Sequence, residues 1–166
     1  IVACAAMAGV PLLNGFLSKE MFFVEAVENR AFQGFAPFLL PAFATAAGVL
    51  SVAYSIRFVH DVFFNGEPVD LPRTPHEPPR WMRFPVEVLV GLVLLVGIMP
   101  QFSLGAILNV AAAATLQGEL PDFKLAVWHG FNLPLVMSFA AIAGGMLYYF
   151  QRQRLFDLHD RYLPNL

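Results

Sequence analysis

Lys19 and Glu20 are adjacent ionisable residues inside an apolar run, and they are the residues of this chain best placed to do chemistry. Upstream, Ile1 to Leu13 is apolar apart from glycine and proline; downstream come Met21, Phe22, Phe23 and Val24. A lysine at bilayer depth costs roughly 2.5 to 3.5 kcal/mol on insertion scales unless protein or water solvates it. A lysine deprived of water also titrates closer to neutrality than one in solution. Such a group can take a proton from one side and release it to another when a neighbouring charge changes. Glu20 projects about 100° away from Lys19 on a helix, which makes it an acidic neighbour rather than a direct ion-pair partner. Glu25 and Glu28 fall on later turns, towards an interface.

The backbone around this pair is built to be interrupted. In Gly9-Val10-Pro11-Leu12-Leu13-Asn14-Gly15-Phe16-Leu17-Ser18-Lys19-Glu20, Pro11 removes an intrahelical hydrogen bond, while Gly9 and Gly15 permit non-helical backbone. Unwound backbone survives in a membrane only where protein buries it or water reaches it, and interrupted helices mark ion and substrate sites in transporters. Residues 1–30 therefore read as a broken transmembrane helix, with Lys19 one turn beyond the break. The opposing expectation is a lysine snorkelling to headgroups from the start of an intact helix.

Composition supports a membrane setting. Of 166 residues, 58% are hydrophobic, 13% are charged and 17 are Phe, with a net charge of −2. Nucleic acid is excluded as a partner by the lack of a basic surface, and the lone Cys4 excludes a disulfide framework and a cysteine metal cage. The expected fold class is all-α and polytopic. About 20 apolar residues cross a bilayer of about 30 Å, and three further stretches qualify: 35–64, 84–100 and 128–152. Pro85 and Pro100 bracket the second of these. Segment 103–117, rich in alanine, reads as an interfacial helix; if it spans instead, the orientation of everything after it reverses. Loop 65–83 is proline-rich and extended, and 155–166 interleaves apolar and charged residues as a surface helix does. No initiator Met or leader-like n-region opens the chain, and its first apolar run starts as if in mid-span, so it is expected to be a piece of a longer polypeptide.

Arg57, Arg73, Arg80, Arg83, Arg152, Arg154 and Arg161 fall on or near the face holding loop 65–83 and the tail, against Arg30 and Lys124 on the other. The positive-inside tendency places the arginine-rich face in the cytoplasm, with Trp81 and Trp128 at opposite interfaces. His60, beside an Arg57–Asp61 pair at i, i+4, is a candidate proton relay at that mouth or a solvated helix end. His129 reads as part of the aromatic belt, His76 and Glu77 as surface, Glu87 as interfacial. Gly144 and Gly145, with Ala140, Ala141 and Ala143, suit close helix packing. There is no phosphate loop, dinucleotide fingerprint or nucleophile with a base; an enzyme, a cofactor and a metal site are not expected.

The run AGVPLLNGFLSKEMFF, residues 8–23, resembles the twelfth, discontinuous helix of the antiporter-like membrane subunits shared by complex I and the Mrp-type cation/proton antiporters. It is most similar to the large A-type subunits of the Mrp group. Further matches follow in order: Tyr54-Ser55-Ile56-Arg57, Phe63-Phe64-Asn65-Gly66, Pro75-His76-Glu77-Pro78-Pro79, Gly97-Ile98-Met99-Pro100 and Leu125-Ala126-Val127-Trp128-His129-Gly130-Phe131-Asn132. The resemblance implies that Lys19 is a central proton-transfer residue with Glu20 as its matching acidic neighbour. It implies three helices after the broken one, a lateral helix beginning in the tail, and further ionisable residues upstream of Ile1. It also implies a multi-pass protein of the bacterial cytoplasmic (inner) membrane that works with other subunits of a multisubunit complex, the lipid bilayer, protons and the monovalent cations sodium or potassium. The alternatives are a proton-pumping subunit of NADH–quinone oxidoreductase, in which case the protein is a translocase, and a structural membrane scaffold without transport.

Overall fold

The computed structural model describes residues 1–28, 36–66, 76–116 and 130–154, and among them only helices occur as regular structure. In chain order these are α1 (Val2–Ala8), α2 (Asn14–Glu28), α3 (Ala36–Phe63), α4 (Arg80–Ile98), α5 (Pro100–Leu116) and α6 (Leu133–Phe150). Three helices are long and apolar enough to cross a membrane: α3 over Pro37–Phe63, α4 over Arg80–Ile98 and α6 over Leu133–Phe150. The fold is therefore all-α and polytopic in character, with α5 a shorter apolar helix. Trp128, His129, Arg30, Lys124, residues 67–75 of loop 65–83 and all of 155–166 lie outside the described residues.

Two boundaries differ from the sequence expectation. Helix α4 starts at Arg80, so residues 80–83 are helical rather than loop and Pro85 sits inside the helix instead of before it. A proline that early forfeits a single amide bond near a helix start, and Val86 to Ile98 continue past it with uninterrupted apolar character. Pro100 opens α5 after the one intervening residue Met99, where a missing amide proton matters least. Ser103 returns its hydroxyl to the Met99 carbonyl at 2.8 Å, bracing that corner.

Helices α3 and α6 form the main seam, and they run parallel. A Cβ at Gly48 would lie 2.9 Å from the Ala141 side chain, one at Gly144 meets Val49, and one at Gly145 meets Val52; further along, the His60 and Tyr149 rings are 6.0 Å apart. Both sets of numbers rise together. Small residues let the two backbones approach, which is how helices associate where lipid supplies no hydrophobic drive. Gly145→Val should therefore force the seam apart against Val52 and the Val49 carbonyl, costing about 1 to 3 kcal/mol. Thermal denaturation of the detergent-extracted protein measures it, with Ala143→Val on the less buried side of α6 as the comparison.

Helix α2 closes the core from the third side. Phe23, 2% exposed, packs with Ala26, Ala44 and Met137, so α2, α3 and α6 meet around one aromatic ring. The rest of the apolar surface is open. Only 28% of the α3 span, 39% of α6 and 6% of α4 is buried, so α4 is apolar and exposed almost all round. Surface of that kind belongs against lipid or other helices.

Candidate functional site

The interruption lies between α1 and α2. Gly9 ends α1 at φ 82°, ψ 39°, with its amide on the Ala6 carbonyl and the Val10 amide on Ala5, the paired bonds of a Schellman cap. Leu12 follows at φ 70°, a left-handed conformation that costs a leucine about 1 to 2 kcal/mol. That strain is held by packing. The α4 backbone at Gly97 presses on the Leu12 carbonyl and Leu13, and the α2 backbone at Gly15 presses on the Ala6 carbonyl; a Cβ at either position would collide with main chain. Two glycines on different helices thus clamp the break.

Lys19 folds back across it. Its aliphatic stem crosses Gly9, where a Cβ would come within 2.9 Å of Cδ. The ammonium Nζ donates to Ser51 Oγ on α3 at 3.4 Å, and Ser51 Oγ donates in turn to the Met7 carbonyl of α1 at 3.0 Å. Ser51 lies fourteen residues after Pro37 and twelve before Phe63, close to the middle of the apolar span. Lys19 is half-buried. Its charge therefore sits beside the open end of a short helix, midway along its longest neighbour.

Glu20 takes the opposite course. It is 3% exposed, on the face of α2 that also buries Phe16 and Phe23, and among the described residues it is the one fully buried charged side chain. A carboxylate placed there is expensive unless the interior compensates it. The sequence points to Glu20 only as the neighbour of Lys19; its burial follows from helix phase once the core-facing side of α2 is known. Ser51 is absent from the sequence-based candidates, because one serine in an apolar helix carries no signal until its partner 44 residues away is in place.

His60 is not part of this cluster. Nine residues of helix separate it from Ser51, a rise of about 13 Å. Its Nδ1 is 3.3 Å from Asp61 Oδ1, and Asp61 Oδ2 is 3.3 Å from Arg57 Nε. The His60 ring meets Tyr149 edge-on, and the Arg152 guanidinium lies 4.1 Å above the Tyr149 ring. Because α3 and α6 are parallel, Arg57, His60, Asp61 and Arg152 share one end of the bundle. Between them and Lys19, α1, α3 and α6 line an open apolar pocket of about 380 Å³ whose wall includes Cys4, Ser55 and His60. Glu77 and Glu87 lie on the surface, 3.8 and 3.9 Å from Arg83. No group of three or more potential metal ligands is found among the described residues.

An interrupted apolar helix with a lysine folded back across the break, packed on two parallel spans, defines a polytopic membrane segment of the transporter type. The relatives name the class. Over 156 residues the chain is 54% identical to a Rhizobium meliloti protein described as a probable K(+)/H(+) antiporter A/B subunit, matching 93% of this chain and 16% of that protein. It is 33% identical over 160 residues to the A subunit of a Na(+)/H(+) antiporter of Alkalihalophilus pseudofirmus, covering 89% and 20% of the two chains. It is 28% identical over 152 residues to an A1 subunit of a Na(+)/H(+) antiporter of Staphylococcus aureus, covering 89% and 19%. The chain is homologous to one segment of the A-type subunits of cation/proton antiporters, and it spans between 16% and 20% of the length of these relatives. No family profile and no solved structure matches it.

Proposed function

We propose that this chain is the segment of a monovalent cation/proton antiporter that carries the proton across the middle of the membrane on Lys19. The observation that carries the reading is the Lys19 ammonium beside the α1–α2 break, level with Ser51 midway along α3. An amine there is within reach of both halves of the membrane, and a change of charge nearby shifts its hold on a proton. Glu20, buried on the same helix, is the acidic neighbour that responds to that charge. The descriptions of the relatives as K(+)/H(+) and Na(+)/H(+) antiporter subunits favour antiport of sodium or potassium over quinone-linked pumping.

The assembly is multisubunit and sits in the bacterial cytoplasmic membrane. Residues 65–83 and the tail beyond Gln151 face the cytoplasm, the side to which the arginines at the Arg57–Arg152 end belong. The interrupted α1–α2 segment, the spans α3, α4 and α6, and α5 lying at the interface form one part of the transmembrane domain. His60 serves as a relay at the cytoplasmic mouth. The test uses the complete protein with its partner subunits in everted vesicles from cells lacking other antiporters. Addition of sodium or potassium chloride should collapse an imposed pH gradient; vesicles that hold their gradient with both salts would remove the reading.

A further inference from the structure

We infer that Ser51 is a positioning residue for Lys19, its hydroxyl polarised by α1 so that it presents an oxygen to the ammonium. The inference rests on the reading of Lys19 as the proton carrier and extends it to a residue on another helix. Three serine and threonine residues on α3 make the comparison. Thr45 donates to the Pro41 carbonyl at 2.8 Å and Ser55 to the Ser51 carbonyl at 2.8 Å, both four residues back along their own helix. Such back-bonding is the ordinary way for a hydroxyl in an apolar helix to satisfy itself. Ser51 departs from it. Its hydroxyl turns outward and donates to Met7 of α1.

The choice of acceptor has a chemical consequence. A serine hydroxyl has one proton to donate and two lone pairs to offer. With the proton committed to the Met7 carbonyl, the lone pairs face away from α1, and Lys19 Nζ occupies that side at 3.4 Å. The Met7 carbonyl is itself one of the acceptors that α1 leaves open at its end, since the Gly9 and Val10 amides serve Ala6 and Ala5. The broken helix therefore fixes the hydroxyl, and the hydroxyl fixes the amine. Gly9 lies under the lysine stem, where an added Cβ would press on Cδ, and its positive φ suits glycine.

The other groups near Lys19 leave this role to Ser51. Glu20 lies beside it on α2; α1 contributes Cys4, which faces the pocket towards His60; Glu25 and Glu28 lie further along α2. Helix α6 carries no charged residue, and the charged residues of α4, Arg80, Arg83 and Glu87, are ten or more residues from the Gly97 contact with the break.

The experiment measures cation-driven proton movement across a pH series in everted vesicles holding the complete antiporter, for wild type, Lys19→Ala, Ser51→Ala, Ser51→Thr and Ser51→Cys. Loss of an acceptor disfavours the charged amine, so Ser51→Ala should move the pH profile towards acid by about half a unit to one unit. Ser51→Thr, which keeps a hydroxyl, should hold the wild-type profile. Should Ser51→Ala fail to assemble, Ser51→Cys keeps the volume with a poor acceptor and should show the same acid displacement. A uniform drop in rate at every pH, or an unmoved profile in whichever of these two assembles, overturns the positioning role while an inactive Lys19→Ala leaves the carrier reading standing. An active Lys19→Ala removes the carrier reading itself.

Discussion

Lys19→Ala in the complete antiporter should abolish cation-driven proton movement, a fall on the order of 10² or more, while the amount of assembled complex stays at the wild-type level. The two halves of this expectation come from different parts of the geometry. Proton transfer needs a titratable group at the break, and neither the Ser51 hydroxyl that accepts from the amine nor the Gly9 backbone that the stem crosses supplies one. Assembly, by contrast, does not rest on the lysine. The Schellman bonds at Gly9 and Val10, the Ser51–Met7 hydrogen bond and the Gly97 contact on Leu12 all persist when the stem is cut back to a methyl group. Removing a half-buried charge even relieves a desolvation cost. Lys19→Gln separates the readings further: it preserves length and polarity without the proton, so a carrier is lost and a scaffold tolerates it. Fluorescence dequenching of a pH probe after addition of salt gives the activity, and native gels of the extracted complex give the assembly.

How far the sequence foretells this site depends on the range of each contact. Pro11 between Gly9 and Gly15 announces the interruption, because proline and glycine act on their own backbone whatever surrounds them. The apolar stretches of α3, α4 and α6 are equally visible, since crossing a bilayer is a matter of length and composition. The small residues at 144 and 145 are legible as a packing face, although not that Val49 and Val52 fill it. What stays hidden depends on helices meeting. Gly97 looks like an ordinary residue ahead of Pro100, yet it presses on Leu12, 85 positions earlier. The left-handed turn at Leu12 has no marker, because leucine has no preference for it and only the clamp holds it there. Pro85 looks like a boundary by residue type alone, and the strong apolar run beyond it carries the helix through. Ser51 stands among three similar hydroxyl residues whose difference lies in where α1 happens to end.

Gly15→Ala should be among the most damaging single-methyl substitutions in the segment. The added Cβ would fall on the Ala6 carbonyl, so the clash is between two main chains rather than with the tip of a flexible side chain. Neither partner can swing aside cheaply. Ala6 is inside α1 and its carbonyl is committed to the Gly9 amide, while Gly15 is in the first turn of α2, flanked by the buried Leu13 and Phe16. Relief requires α1 and α2 to separate. Overpacking of this sort costs about 1 to 3 kcal/mol and more where the backbone must move, which is a large part of the stability of a segment with so small a core. The separation also draws Lys19 on α2 away from Met7 on α1, so Ser51 can no longer bond both. Assembly and activity should therefore fall together, unlike the Lys19→Ala case in which they part. Gly91→Ala on α4 is the control: its Cβ would meet nothing within 4 Å, and alanine is the better helix former by about 0.8 to 1.0 kcal/mol in water. Complex yield and melting temperature of the two variants, read side by side, test the clamp. Wild-type yield and transport from Gly15→Ala would mean that the two halves of the broken helix do not lie against each other as described.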